Sequence, residues 1–221
     1  MTPSTWRELA VARSLDPARA RAETRVQRYL DAAVELLNGD RGTDFTVQEV
    51  VERSGQSLRG FYQYFAGKHE LLLALFEESI HATTDRVRAV VDESDDPLDR
   101  LRRFVVEYQR LCRATRESAS VAGIPAPAVA EFAHQLMTDH PNEASAAFMP
   151  LVSLFEELLD AAGDAGVIRP GIEHRRLAGM VLEAVMFSSF APTISGTPAA
   201  EGDGDVLCDL LLTGITTRAP D

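Results

Sequence analysis

Between Ser57 and Phe65 the residues Leu58, Arg59, Gly60, Tyr62, Gln63 and Tyr64 fall at or near the outer face of a short helix whose inner face is Phe61 and Phe65. The outer set supplies one strong cation, two phenols, an amide and a glycine that permits close approach. Such groups hydrogen-bond phosphate oxygens and the edges of bases. The chemistry on offer is recognition rather than bond making. No nucleophile elbow, phosphate loop or metalloprotease helix motif occurs in the chain, so no catalytic residue, metal ligand or cofactor is assigned.

The elements that must position this face are legible from their ends. Thr46 followed three residues later by Glu49 forms a capping box, which starts a helix at Thr46. Val47, Val50 and Val51 then give an apolar side, and Gly55 supplies a left-handed stop. Ser57 caps the next helix. Upstream, Val26, Tyr29, Leu30, Ala33 and Leu37 share a helical face that ends at Asn38-Gly39. Downstream, Lys68 opens a long helix with a stripe of Leu72, Phe76, Ile80, Val87 and Val91. On pattern alone, the short helix pair fits either a DNA reader or an ordinary piece of a helical bundle.

The string Thr46, Val50, Gly55, Ser57, Phe61, Tyr62, Tyr64, Phe65, Lys68, Leu71 resembles the amino-terminal signature of TetR-family transcriptional regulators, over roughly residues 25–76. The resemblance implies a helix-turn-helix in which Thr46, Ser57, Leu58, Arg59, Gly60, Tyr62, Gln63, Tyr64 and Lys68 contact DNA, with Lys68 on a phosphate near the start of its helix. Two positions depart from the pattern. Gln56 stands where an apolar turn residue is usual, and Gly60 where a small hydroxyl residue often reaches a base. Readout is then expected to lean on Leu58, Arg59 and Gln63.

A net charge of −12 runs against DNA binding, but it is unevenly spread. Met1 to Glu70 carries ten Arg/Lys and ten Asp/Glu, and all the excess acid follows from Leu71 onward. A neutral reader below an acidic body suits binding from one side and argues against a non-specific nucleic-acid coat. No apolar run is long enough to span a membrane, and the first residues lack a secretory core, so the expected location is cytoplasmic. Cys112 and Cys208 fall in helices and read as buried thiols.

The expected fold is all-α with about nine helices: a three-helix DNA-binding domain with its helix-turn-helix, then a larger helical ligand-binding and dimerisation domain. Its parts are a basic arm over residues 1–20, with a helix limited by Pro17; the reader over 21–67; and the larger domain over 68–217. In the last, helices are expected over Leu98–Arg116, Ala126–Asp139, Asn142–Ala165 with Pro150 kinking it or shifting its start, and Glu173–Phe190. A final helix carries Leu207 and Leu211. Arg102, Arg103, Arg110 and Arg113 form a basic strip on the first of these.

The family layout implies an effector cavity, for which Phe104, Tyr108, Phe132, Leu136, Met137, Phe148 and Phe155 are candidate lining residues for a partly apolar small molecule. It also implies a homodimer through the last two helices, with Leu177, Val181, Ala184, Val185, Leu207 and Leu211 at the interface. The function expected is a ligand-responsive, sequence-specific repressor on a palindromic double-stranded operator. Two rivals stay open. One is a helical adaptor of the same fold without DNA binding. The other is a di-metal bundle enzyme, since Glu78/His81 and Glu131/His134 fit Glu-x-x-His, with Glu107 or Glu156 completing the set.

Overall fold

A computed structural model of the chain describes residues 6–39, 41–112, 124, 126–195 and 203–217; the side chains of 6–15, 126, 127, 130, 190–195, 203 and 204 are outside that description. The described residues form nine helices: α1 Trp6–Leu37, α2 Val47–Ser54, α3 Leu58–Tyr64, α4 Lys68–Val91, α5 Pro97–Cys112, α6 Ala126–Asp139, α7 Pro141–Asp164, α8 His174–Ser195 and α9 Asp203–Ile215. They divide into two compact units, Met1–Leu73 and Ala74–Asp221, the division falling inside α4.

In the first unit, α1 packs on α2, and α2 on α3. α1 runs unbroken through Pro17, so residues 6–20 belong to the first helix and do not form a separate arm. A proline removes one backbone donor and crowds the preceding turn. Here Asp16 to Ala20 are exposed, so the turn around Pro17 is open to water, and the Arg21 guanidinium donates to the Pro17 carbonyl at 2.8 Å. The core of this unit is Tyr29, Ala33, Leu37, Phe45, Val50, Phe61, Phe65 and Leu71, all nearly inaccessible.

In the second unit, α5 packs against α7, α8 and α9, and α7 also packs against α6 and α8. The buried stripe of α7, Ala144, Ala147, Leu151, Leu154, Phe155, Leu158, Leu159 and Ala162, keeps its helical phase across Pro150. Burial of that stripe offsets the proline, which therefore does not end the helix. The helix begins at Pro141, one residue before the expected start, because a proline at the first helical positions loses a donor that would be unpaired anyway. Arg169 closes the far end of α9: its guanidinium donates to the carbonyls of Thr216 at 3.0 Å and Thr213 at 3.2 Å. Cations suit a helix C-terminus, where carbonyls lack partners.

Several expectations are corrected by packing. The basic strip on α5 is not a free cationic surface: Arg102 pairs with Asp209, Arg103 with Asp99 and Glu93, and Arg110 with Glu107. Arg113 and the expected end of this helix at Arg116 lie outside the described residues. Phe104, Tyr108, Phe132, Leu136 and Phe155 are buried, while Met137 and Phe148 are half-buried. Phe104 stacks on Phe155 at 4.4 Å between centroids and lies 6.1 Å from Tyr108. Phe76 meets Phe132 and Phe148 edge-on at 5.9 and 5.3 Å. Most of the expected lining residues thus form two aromatic clusters of the core. Glu78, His81, Glu131 and His134 are all exposed, whereas a di-metal centre needs its ligands projecting into the bundle.

Val181 and Val185, expected at a dimer interface, are 1% and 0% exposed within the single chain. Their apolar surface is already used in the monomer core, and none remains for a partner. Leu177, Ala184, Leu207 and Leu211 are half-buried. Among the described residues, the large exposed apolar side chains of α8 and α9 are Met180, Phe187, Val206 and Leu210. Val181→Asp is therefore expected to lower the melting temperature sharply, through a buried unpaired charge, while Met180→Asp leaves it near wild type. Thermal melts followed by circular dichroism, showing equal stability for the two variants, would contradict this placement.

Candidate nucleic-acid interface

The start of α2 uses every group of the capping box. The Glu49 amide donates to Thr46 Oγ1 at 3.2 Å, and the Glu49 carboxylate accepts from the Thr46 amide at 2.8 Å and from its hydroxyl at 2.9 Å. The hydroxyl hydrogen of Thr46 is thus directed to Glu49. Arg41 also pairs with Glu49. Arg41 first, then the Thr46 amide and hydroxyl, hold the Glu49 carboxyl down at about 2, against an ordinary 4.5. α2 ends at Gly55 with φ 64°, a left-handed conformation that costs glycine little.

α3 starts at Ser57, whose Oγ accepts from the Gly60 amide at 3.0 Å. From α1, the Tyr29 hydroxyl donates to the Ser57 carbonyl at 3.0 Å. The Tyr29 ring packs edge-on against Phe61 at 5.5 Å and Phe65 at 6.3 Å. Burial pushes the Tyr29 phenol up, which keeps it protonated as a donor. A Cβ at Gly60 would lie 2.8 Å from the Tyr29 hydroxyl and 3.1 Å from Ser57 Oγ. A side chain at 60 therefore forces the strut from α1 to shift. On its inner side Gly60 packs against Tyr29.

Phe61 and Phe65 are buried, as their spacing predicts. Leu58 and Tyr62 are 43% and 56% exposed, Arg59 and Gln63 are exposed, and Tyr64 is half-buried. Lys68 is half-buried at the start of α4 with Nζ 4.8 Å from the centre of the Phe45 ring, a cation–π contact. Beside α3 lies an open cleft of about 300 Å³, walled by Arg25, Gln56, Ser57, Arg59 and Gln63 over a floor of Tyr29 and Gly60. Arg25 and Tyr29 are cleft residues that the sequence reading did not assign to this surface. The available signal was their spacing, four residues apart on α1, with Tyr29 already on the inward face.

An all-helical chain with a capped two-helix reader at its amino-terminal end belongs among helix-turn-helix proteins. Residues 30–75 match the family model described as bacterial regulatory proteins, tetR family. Residues 30–75 are thus similar to the amino-terminal domain of that family, and the chain as a whole shares the fold of solved transcriptional regulators. It is similar to the fatty acid degradation regulator FadR from Bacillus halodurans, with 19% identity over 89% of this chain and 97% of that one and a TM-score of 0.64. FadR from Bacillus subtilis, solved in complex with stearoyl-CoA, has 17% identity over 86% and 98%, with a TM-score of 0.64. A TetR-family transcriptional regulator from Pectobacterium atrosepticum has 16% identity over 91% and 99%, with a TM-score of 0.65. No curated protein sequence matches the chain. None of the described helices is long and apolar enough to cross a membrane.

Two outcomes check this geometry. Gly60→Ala should destabilise the fold by about 1–3 kcal/mol through overpacking, and Tyr29→Phe should relieve part of that cost in a double-mutant cycle measured by urea unfolding. Additive losses would mean that the two groups do not collide. For Glu49, the folded-state carboxyl titrates below the unfolded one, so its stabilisation is complete above about 4.5 and fades as pH falls toward about 2. Glu49→Gln should flatten the fall of melting temperature across that window; an unchanged acid limb would remove Glu49 from the account.

Proposed function

We propose that the protein is a ligand-responsive, sequence-specific DNA-binding repressor that reads a palindromic operator as a homodimer. The observation that carries this is the outer face of α3, where Arg59, Gln63 and Tyr62 are exposed together on a helix fixed at its start by Ser57 and Tyr29. Among the described residues of the first unit, none is hydrogen-bonded to these polar ends. Arg59 has no carboxylate partner among the described residues, so its guanidinium is available to a guanine edge. Leu58 supplies an apolar contact for a thymine methyl, and Lys68 is assigned to a phosphate.

Dimerisation is proposed through Met180, Phe187, Val206 and Leu210, which project from α8 and α9 into solvent in the single chain. Solvent-exposed apolar groups of this size on two helices are what a partner surface supplies. A two-fold dimer would place two recognition helices roughly 34 Å apart, one turn of DNA. For the effector, we propose a partly apolar small molecule bound in the second unit, in keeping with the similarity in fold to a regulator solved with stearoyl-CoA. Such a molecule acts only through its different affinity for two states of the regulator. The aromatic clusters of Phe104, Phe155 and Phe132 would then have to open to admit it.

Selection from random duplexes tests the whole reading. The wild type should enrich a palindrome, Arg59→Ala should lose about 1–3 kcal/mol on it and relax one base position, and Leu210→Asp should enrich at most a half-site. Failure of the wild type to enrich any sequence would reduce the protein to an adaptor of the same fold.

A further inference from the structure

In the first unit the cations are not equally engaged. Arg19 pairs with Glu23, Arg41 with Glu49 and Arg53 with Glu35; Arg21 donates to the Pro17 carbonyl, and Lys68 lies over Phe45. Arg25, Arg28 and Arg59 have no such partner among the described residues. Two of these three, Arg25 from α1 and Arg59 from α3, wall the same cleft. No carboxylate lines that cleft, although the unit has as many acidic as basic residues. Two guanidinium groups facing one concavity without a counter-charge repel each other, and an anion seated between them removes that cost.

The rest of the wall is suited to the same ligand. The Gln63 amide brings two donors, the Gln56 amide keeps one beyond its 3.4 Å bond to the Gly55 carbonyl, and the Ser57 hydroxyl accepts from the Gly60 amide, leaving its own hydrogen to give. The volume of about 300 Å³ has room for roughly ten waters, or for a phosphodiester with part of its hydration. Gly60 and the Tyr29 hydroxyl set the depth of the floor, because a side chain at 60 would fill it. Arg25 lies on the supporting helix and not on the recognition helix. It is therefore placed for the sugar-phosphate backbone beside the groove, where contacts fix register without reading sequence.

Resting on the DNA-binding reading above, we infer that this cleft holds one backbone phosphate of the operator, bound by Arg25 from α1 with Gln56 and Ser57 from the turn. Arg25 is thereby a positioning residue: it sets how α3 enters the groove. Gln56 in the turn acquires a use that an apolar residue could not serve.

The test compares wild type, Arg25→Gln and Arg28→Gln on the duplex returned by selection and on a scrambled duplex, over a range of salt. Arg25→Gln should weaken both duplexes by a similar factor, roughly tenfold for one lost charge-assisted contact, and should reduce the slope of log affinity against log salt by about one. Arg28→Gln, outside the cleft, should change neither. Scanning the operator with single neutral methylphosphonates should find one position at which wild type and Arg25→Gln bind alike. A wild-type salt slope in Arg25→Gln, with Arg59→Ala still impaired, would overturn the cleft and leave the DNA reader standing. Equal losses from Arg25→Gln and Arg28→Gln would assign the effect to general charge and also overturn it. Failure of the wild type to select any duplex would remove both readings together. Arg25 and Arg28 are exposed, and unchanged thermal melts confirm that the variants are folded.

Discussion

The hydrogen bond from the Tyr29 hydroxyl to the Ser57 carbonyl, 3.0 Å long, ties the supporting helix to the turn that launches the recognition helix. α3 is only seven residues long, too short to be stable alone, since nucleation is costly and few internal bonds repay it. Its position must come from outside. The strut fixes its first turn, Ser57 caps it, and the packing of Phe61 and Phe65 against the Tyr29 ring fixes its rotation. The same strut leaves no room for a side chain at 60 unless it shifts, and the cleft beside the helix stays open. One phenol thus couples the angle of the reader to the shape of the surface next to it.

Electrostatics follows a different logic in the two units. In the first, acids and bases balance, yet the exposed outer face of α3 carries a cation and no carboxylate. In the second, a large excess of acid coexists with arginines that are mostly paired: Arg86 and Arg110 both hold Glu107, and Arg102 reaches Asp209. The Arg110 guanidinium, helped by Arg86, keeps the buried Glu107 carboxyl below its ordinary range. The more exposed pair of Arg102 and Asp209 adds little stability. Together the pairs neutralise Arg102, Arg103 and Arg110 of α5.

The second unit also shows how a helix with apolar residues on most sides divides them. α8 buries Ala178, Val181, Leu182, Val185 and Met186 and leaves Met180 and Phe187 to solvent. A helix contacting neighbours on one side can bury only an arc of its surface, whatever its composition. The residues exposed are those the neighbouring helices α5 and α7 do not cover, and among the described side chains of α8 these are the large apolar groups left free to meet another molecule.

Sequence alone determined the punctuation of the chain. The capping box at Thr46 and Glu49, the left-handed Gly55, the Ser57 cap and the inward Phe61 and Phe65 depend on interactions within a few residues, and each is found where its local chemistry placed it. The family signature is of the same kind, because it is a run of local spacings. What only the tertiary structure decided depends on contacts between distant segments. Pro17 and Pro150 look like breaks, but exposure to water in one case and a buried stripe in the other let the helix continue. Gly60 looks like a missing DNA contact, but its neighbour is Tyr29, far earlier in the chain. Val181 and Met180 are adjacent apolar residues, and their roles separate only because the surrounding helices cover one and not the other. Arg25 becomes part of a cleft for the same reason: a pattern of spacing says which residues share a face, and only packing says what that face meets.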